Sequence, residues 1–275
     1  MKPLPPPLIS PTVITVGREP TLSEKDDEFM KDWMNEFKAT YLRMFGYTVT
    51  ILMHIGNIVF LKFCMNHKVP NDAELKVFAE LQPRYFTCWN FVLHILFSVI
   101  GLISDYKLLV NYKNASYKPS KYFEGFKKTL FSAIVWPSTW VVVAVFWPLF
   151  LYDRMLIFPR FADKIVSPLS NHIMHTAIIG SIIWEVCFQP RNVPSSHKRN
   201  LFHLVFHLLF YFSVLLYTYM ERGVWIYPVF KLLNGTIYFP LSILSIGVIA
   251  IGSYYAQWYL TELMWGKRQK TMKIR

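Results

Sequence analysis

Six stretches of the chain are apolar enough to cross a bilayer, and polar positions interrupt two of them in a regular way. A helix needs about 20 predominantly apolar residues to span the hydrocarbon core. The stretches fall at about 41–61, 85–104, 129–152, 168–187, 201–220 and 237–261. Pro137 and Pro148 predict kinks in the third. Within the second, Thr87, Asn90, His94, Ser98, Gly101 and Asp105 recur at intervals of three or four residues. That is one face of a 3.6-residue helix. The other positions are mostly large and apolar, so the polar and small face should turn into a bundle. Helix–helix packing alone explains the inner half of this stripe. Thr87, Asn90 and His94 are less ordinary.

The fourth stretch repeats the pattern in "NHIMHT", residues 171–176. Asn171 and His175 are four apart and His172 and His175 three apart, so all three share roughly one face. The second and fourth stretches enter the membrane from the same side. Thr87 and His175 then fall at similar depth, in the outer third of the bilayer. A hydroxyl beside an imidazole is a nucleophile-and-base constellation, although polar pairs are also common in helix bundles.

Composition agrees with the hydropathy pattern. Of 275 residues, 53% are hydrophobic and only 17% charged, which a soluble domain of this length would not show. The net charge of +12 would suggest nucleic acid in a soluble chain. Here the bases lie in the connecting segments, where they set topology and meet lipid headgroups, so no nucleic-acid partner is expected. Segments 105–128 and 188–200 and the tail "GKRQKTMKIR" carry about twice the Lys and Arg of the opposite connections. The expectation is an all-α polytopic membrane protein, a bundle of six transmembrane helices with both termini cytosolic. The sequons at Asn114 and Asn234 fall on opposite sides and decide nothing. Cys64, Cys88 and Cys187 form no CxxC pair, so neither a disulfide framework nor a zinc site is indicated. The Pro-rich, then acidic N-terminal stretch lacks the pattern of a cleavable signal peptide and reads as a disordered tail.

The stretches "YFTCWNFVL", "VVVAVFWPLFLYDRMLIFP" and "NHIMHT" resemble the androgen-induced / androgen-dependent tissue-factor-pathway-inhibitor-regulating protein family, over residues 41–263 or so. Its members are multipass membrane threonine hydrolases of fatty acid esters of hydroxy fatty acids. The resemblance implies that Thr87 is the nucleophile and His175 the catalytic base, with an acyl-threonine intermediate and a lipid ester substrate drawn from the bilayer. It implies no cofactor. Where the family usually has "WK" before the threonine segment, this chain has "PR" at 83–84. The resulting division is a tail over 1–35, a six-helix transmembrane hydrolase domain over 36–266 and a basic tail over 267–275, in the plasma membrane or the endoplasmic reticulum.

Acyl transfer also needs a donor for the oxyanion. Asn90 and Asn171 are the first candidates, and His94 and His172 are further polar groups near them. His172 is better suited to orienting or packing than to acting as a second base. Asp153 and Arg154, in "YDRM", form either an interfacial ion pair or a grip on a substrate carboxylate. Among rival chemistries, a metal site is disfavoured because His203 and His207 are expected near Glu185, far from His172 and His175. A cysteine nucleophile is disfavoured because Cys88 is turned about 100° from Thr87. A serine lipase is disfavoured because no GxSxG occurs. The rival of another class is a non-enzymatic transporter or regulatory scaffold using the polar stripe as a pathway.

Overall fold

The computed structural model describes residues 22–68, 72–114 and 116–274. The chain divides into two compact units after Lys38, and the helix bundle is built by the second, Ala39–Arg275. Of the expected tail, residues 1–21 lie outside the described residues, and helix assignment begins at Leu22.

The chain is an all-α polytopic membrane protein. Its helices are α1 (Leu22–Lys68), α2 (Ala73–Leu81), α3 (Phe86–Val110), α4 (Lys121–Thr129), α5 (Trp136–Asp153), α6 (Pro168–His172), α7 (Ile178–Phe188), α8 (Lys198–Arg222), α9 (Pro228–Leu233) and α10 (Tyr238–Ile274). Among the described residues, five segments are long and apolar enough to cross a membrane: Phe37–Lys68, Phe86–Val110, Lys121–Leu156, Lys198–Arg222 and Tyr238–Gly266. The stretch expected as a fourth span is helical from Pro168 to Phe188, but a π-helical turn at Ile173–Ala177 divides it into α6 and α7. A second π-helical turn, Leu130–Val135, joins α4 to α5 just ahead of Pro137. Proline cannot donate to the preceding turn, and the local change of winding there accommodates that loss.

The polar face of α3 turns inward. Asn90, His94, Ser98, Gly101 and Asp105 are all buried, whereas Val92, Leu96, Val99 and Ile103 face outward. Its partner is a stripe on α1: Arg43, Tyr47, Thr50, His54, Asn57 and Leu61 are buried at helical spacing. Three contacts fix the register. Arg43 holds both oxygens of the fully buried Asp105 at 2.8 and 2.9 Å. The Tyr47 ring lies against Gly101. The His54 and His94 rings sit 5.6 Å apart. Rising numbers on α1 meet falling numbers on α3, so the two helices are antiparallel. On the other flank, Trp136 of α5 donates to the Ser253 carbonyl of α10 at 2.8 Å, beside the buried Tyr254 and Ala250.

The short elements close one end of the bundle. Asp72 caps α2 and pairs with Lys164 at 2.5 Å, and this ammonium holds its carboxyl below the usual range. Arg84 pairs with Glu221 at 2.6 Å, tying the approach to α3 to the end of α8.

Glycine is required at 101. A Cβ there would stand 2.4 Å from the Tyr47 ring. Gly101→Val should therefore push α1 off α3 and cost about 1–3 kcal/mol. Thermal unfolding in mild detergent should show a lowered midpoint. Gly180→Val, at a site where a Cβ meets nothing, should leave the midpoint nearly unchanged.

Candidate active site

Thr87 is the second residue of α3, and His175 lies within the π-helical turn between α6 and α7. Their side chains meet, with Thr87 Oγ1 3.4 Å from His175 Nε2. This distance is long for a hydrogen bond, as hydrogen bonds in unliganded sites often are. The other ring nitrogen settles the proton's position. His175 Nδ1 lies 3.0 Å from the Asn171 carbonyl. A carbonyl only accepts, so Nδ1 carries the hydrogen and Nε2 presents its lone pair to the threonine. The ring is clamped flat on Phe146, with centroids 3.5 Å apart and planes 8° from parallel. Trp147 Nε1 donates to the His175 carbonyl at 3.0 Å and holds the backbone of the turn. His175 is 4% exposed and Thr87 half-buried.

Both residues line a cavity of about 390 Å³. Its walls are almost wholly apolar. One side is formed by Leu61, Phe158 and Met174, and the other by Leu208 of α8 with Ile246 and Gly247 of α10. Such a space suits hydrocarbon chains flanking a single polar centre.

The start of α3 is secured from outside. Tyr85, its N-cap residue, makes no side-chain cap. Instead the Phe86 N–H donates to Tyr211 Oη at 3.0 Å and Tyr227 Oη at 2.9 Å. Tyr211 also donates to the Arg84 carbonyl at 3.2 Å. Burial pushes the Tyr227 hydroxyl up to about 12, so it remains neutral. These tyrosines, together with Phe146, Trp147 and Gln82, are invisible to a search for paired reactive groups, because each is an ordinary apolar-helix or loop residue by type.

The remaining candidates take different places. Asn90 is buried one turn inward of Thr87; its Oδ1 is 3.5 Å from Thr139 Oγ1, and its Nδ2 has no hydrogen-bond partner. His94 Nε2 lies 2.8 Å from the same Thr139 hydroxyl. Asn171 serves His175 through its main chain, while its buried Oδ1 is unpartnered. None of these three lines the cavity. His172 is exposed, stacked on Trp147 and 3.2 Å from Thr176 Oγ1. Asp153 and Arg154 do not pair with each other. Asp153 accepts from the Met155 N–H, and Arg154 binds Asp163 at 2.6 Å, because the chain reverses into a short 3-10 turn at Arg154. His207 is also not beside Glu185. It packs on Phe86 and Trp89, whereas Glu185 accepts from Tyr47 Oη at 2.6 Å. Cys88 does line the cavity, with its Sγ on Gln82 Oε1 at 3.5 Å. Among the described residues, no three His, Cys, Asp or Glu side chains are grouped to hold a metal ion.

The double acceptor for Phe86 predicts non-additive stability. Tyr211→Phe or Tyr227→Phe alone leaves the N–H one partner. Both together leave it none, which costs about 1–3 kcal/mol for a buried donor. Thermal unfolding of the two single variants and the double should show a loss in the double exceeding the sum of the singles.

Comparison with known proteins places these residues in a family context. The profile of the family described as "FAR-17a/AIG1-like protein" matches residues 49–260, which include Thr87 and His175. The chain is 30% identical over 220 residues to the androgen-dependent TFPI-regulating protein of Homo sapiens, covering 78% of this chain and 92% of that protein. It is 31% identical over 218 residues to the Mesocricetus auratus protein of the same name, covering 76% and 90%. The Homo sapiens androgen-induced gene 1 protein is 23% identical over 148 residues, 53% of this chain and 62% of that one. No solved structure matches.

Proposed function

The chain belongs to the FAR-17a/AIG1-like family, and from that premise we propose that it is an intramembrane carboxylic ester hydrolase acting through Thr87 and His175 on esters of fatty acids with hydroxy fatty acids. The observation that carries this reading is the 3.4 Å approach of the Thr87 hydroxyl to an imidazole whose opposite nitrogen is fixed as a donor. The apolar cavity around the pair supports a substrate with two acyl chains. With 168–188 counted as a sixth span both termini lie on one side, and the Lys/Arg bias supports that side being the cytosol.

His175 Nε2 takes the proton of Thr87 Oγ1 as the oxygen attacks the ester carbonyl. The bond to the hydroxy fatty acid breaks, and Nε2 returns the proton to the departing alkoxide. The fatty acid is left as an acyl-threonine. Water then gives a proton to Nε2 and attacks the acyl carbon. The fatty acid leaves, and Thr87 recovers its hydrogen. The β-branched threonine has a restricted χ1, which holds the oxygen near the base.

Neither candidate amide lines the cavity, so reaching an oxyanion on Thr87 requires a side-chain movement, and of the two only Asn90 has a donor to offer. Its Nδ2 is a buried donor without an acceptor, whereas the unpartnered atom of Asn171 is an oxygen. Asn90→Leu keeps the volume and removes the donor. A fall in kcat of about 10²–10³-fold with little change in KM is the result expected if the amide turns to the oxyanion during the reaction. An unchanged kcat would remove Asn90 from the reaction.

The pair itself is tested by a double-mutant cycle on purified, membrane-reconstituted protein. Thr87→Ala and His175→Ala should each lower ester hydrolysis by several orders of magnitude, of which a positioned base accounts for roughly 10²–10⁴. The double variant should be little worse than either single, because the two act as one unit. Thr87→Ser should retain partial activity and Cys88→Ala most of it. Parent-rate hydrolysis by Thr87→Ala, or losses that multiply fully, would refute the assignment.

A further inference from the structure

A second polar site lies beside Ser104, toward the opposite end of α3 and about 25 Å from Thr87 along the helix at 1.5 Å per residue. Here a hollow of about 230 Å³ is lined by Lys127, Lys128, Arg191 and Arg199 and by the carboxylates of Glu124 and Glu185. Four cations face two carboxylates, leaving an excess of two positive charges. It has no lining residue in common with the cavity at Thr87.

Two of the cations form its inner wall. Lys127 is 4% exposed and Arg191 8% exposed. Lysine and arginine are seldom buried to this degree without a strong reason. Lys127 Nζ donates to the Ser104 hydroxyl at 3.4 Å, and that hydroxyl stands between it and Glu124, to which it donates at 2.6 Å. Glu185 is engaged by Tyr47. Arg191 is clamped in place, donating to Ser132 Oγ at 3.0 Å and Gln257 Oε1 at 2.8 Å. Its guanidinium lies 4.5 Å from the centre of the Phe131 ring and 4.9 Å from that of Trp258. Burial lowers its pKa to about 10, which still leaves it charged at neutral pH.

The other two cations stand at the rim. Lys128 is exposed, and Arg199 is exposed with one nitrogen on Thr129 Oγ1 at 3.3 Å. Arg199 and the buried Asn200 belong to the first turn of α8, so the positive end of that helix adds to the local potential. Fixed cations inside, exposed cations outside and a helix N-terminus make a receptor for a compact dianion. The volume admits a phosphate with a few attached atoms and excludes an acyl chain.

We propose that this hollow binds a phosphate monoester, presented either by a phospholipid headgroup or by a soluble phosphorylated molecule. The proposal stands independently of the reaction assigned to Thr87. The lining favours a phosphate over a carboxylate because its four cations come from α4, α8 and the α7–α8 connection, which suits several oxygens rather than two.

The test uses full-length protein in phosphatidylcholine nanodiscs at fixed ionic strength, with the thermal unfolding midpoint as readout. Glycerol phosphate is titrated in one arm. In the other, phosphatidic acid, whose headgroup is a phosphate monoester, replaces part of the lipid. A midpoint rising by several degrees in either arm is expected. A response to phosphatidic acid alone identifies the lipid as the source, and a response to glycerol phosphate alone identifies a soluble ligand. The double variant Lys128→Gln, Arg199→Gln changes only exposed rim residues and should fold normally. It should raise the half-saturating concentration at least ten-fold. Three outcomes overturn the proposal: no shift in either arm, an equal shift with sodium acetate or phosphatidylserine, or an unchanged half-saturation in the rim variant. The last would place binding elsewhere on the basic surface.

Discussion

Hydrocarbon gives a buried polar group no hydrogen bond, so polar side chains on membrane helices must find their partners on other helices. The α1–α3 seam is where this chain meets that requirement. Arg43 and Asp105 would each be expensive alone in the bundle, and together they form a two-pronged pair. Tyr47 reaches past the bare face of Gly101 to Glu185, joining α1 and α3 to α7. Thr50 and Ser181 add a further link at 3.1 Å. These bonds set the rotation of α3, and its rotation decides that Thr87, eighteen residues from Asp105, faces the bundle rather than lipid. His54 satisfies the rule least, since it stacks on Phe91 with neither ring nitrogen hydrogen-bonded.

The second determinant is a departure from helical regularity. Between Pro168 and Phe188 the backbone takes one π-helical turn, and His175 lies inside it. Such turns leave carbonyls without their usual partners and widen the local spacing. One carbonyl, that of Asn171, receives the His175 ring, and another, that of His175, receives Trp147. The imidazole is thus oriented by main chain and flat aromatic packing, with no carboxylate behind it.

Periodicity exposes the α3 stripe because its polar members stand out against Phe, Leu and Val. The matching stripe on α1 is present at the same spacing but is carried by Arg43, Tyr47, Thr50, His54 and Asn57 among many other polar and aromatic residues, so it does not stand out by type. "YDRM" suggests an ion pair within itself, yet residues adjacent on a helix end point apart, and Arg154 finds Asp163 nine positions on. Counting residues from the helix ends puts His207 beside Glu185. Counting ignores helix tilt and offset, and the side chain packs on Phe86 and Trp89 instead. The π-helical turns leave no residue-type signature, apart from the proline that follows one of them. The approach of Thr87 to His175 combines two readable quantities, helical face and depth. The tyrosine cap on α3 combines none.

The position of Thr87 within α3 bears on the proposed chemistry. It is the second residue of a 25-residue helix, where the macrodipole places roughly half a positive charge. An alkoxide or tetrahedral oxyanion forming there is stabilised by the helix end as well as by any side-chain donor. The cavity is apolar, so this field is weakly screened. The effect depends on the first-turn N–H groups staying in place. Tyr211 and Tyr227 hold Phe86, and the Tyr85 carbonyl receives the N–H groups of Cys88 and Trp89 at 3.0 and 3.2 Å. A frayed first turn would scatter these dipoles and move Thr87 off its histidine. Capping by tyrosines from α8 and the segment before α9 therefore links the reactivity of one helix end to the packing of two other elements that also border the cavity.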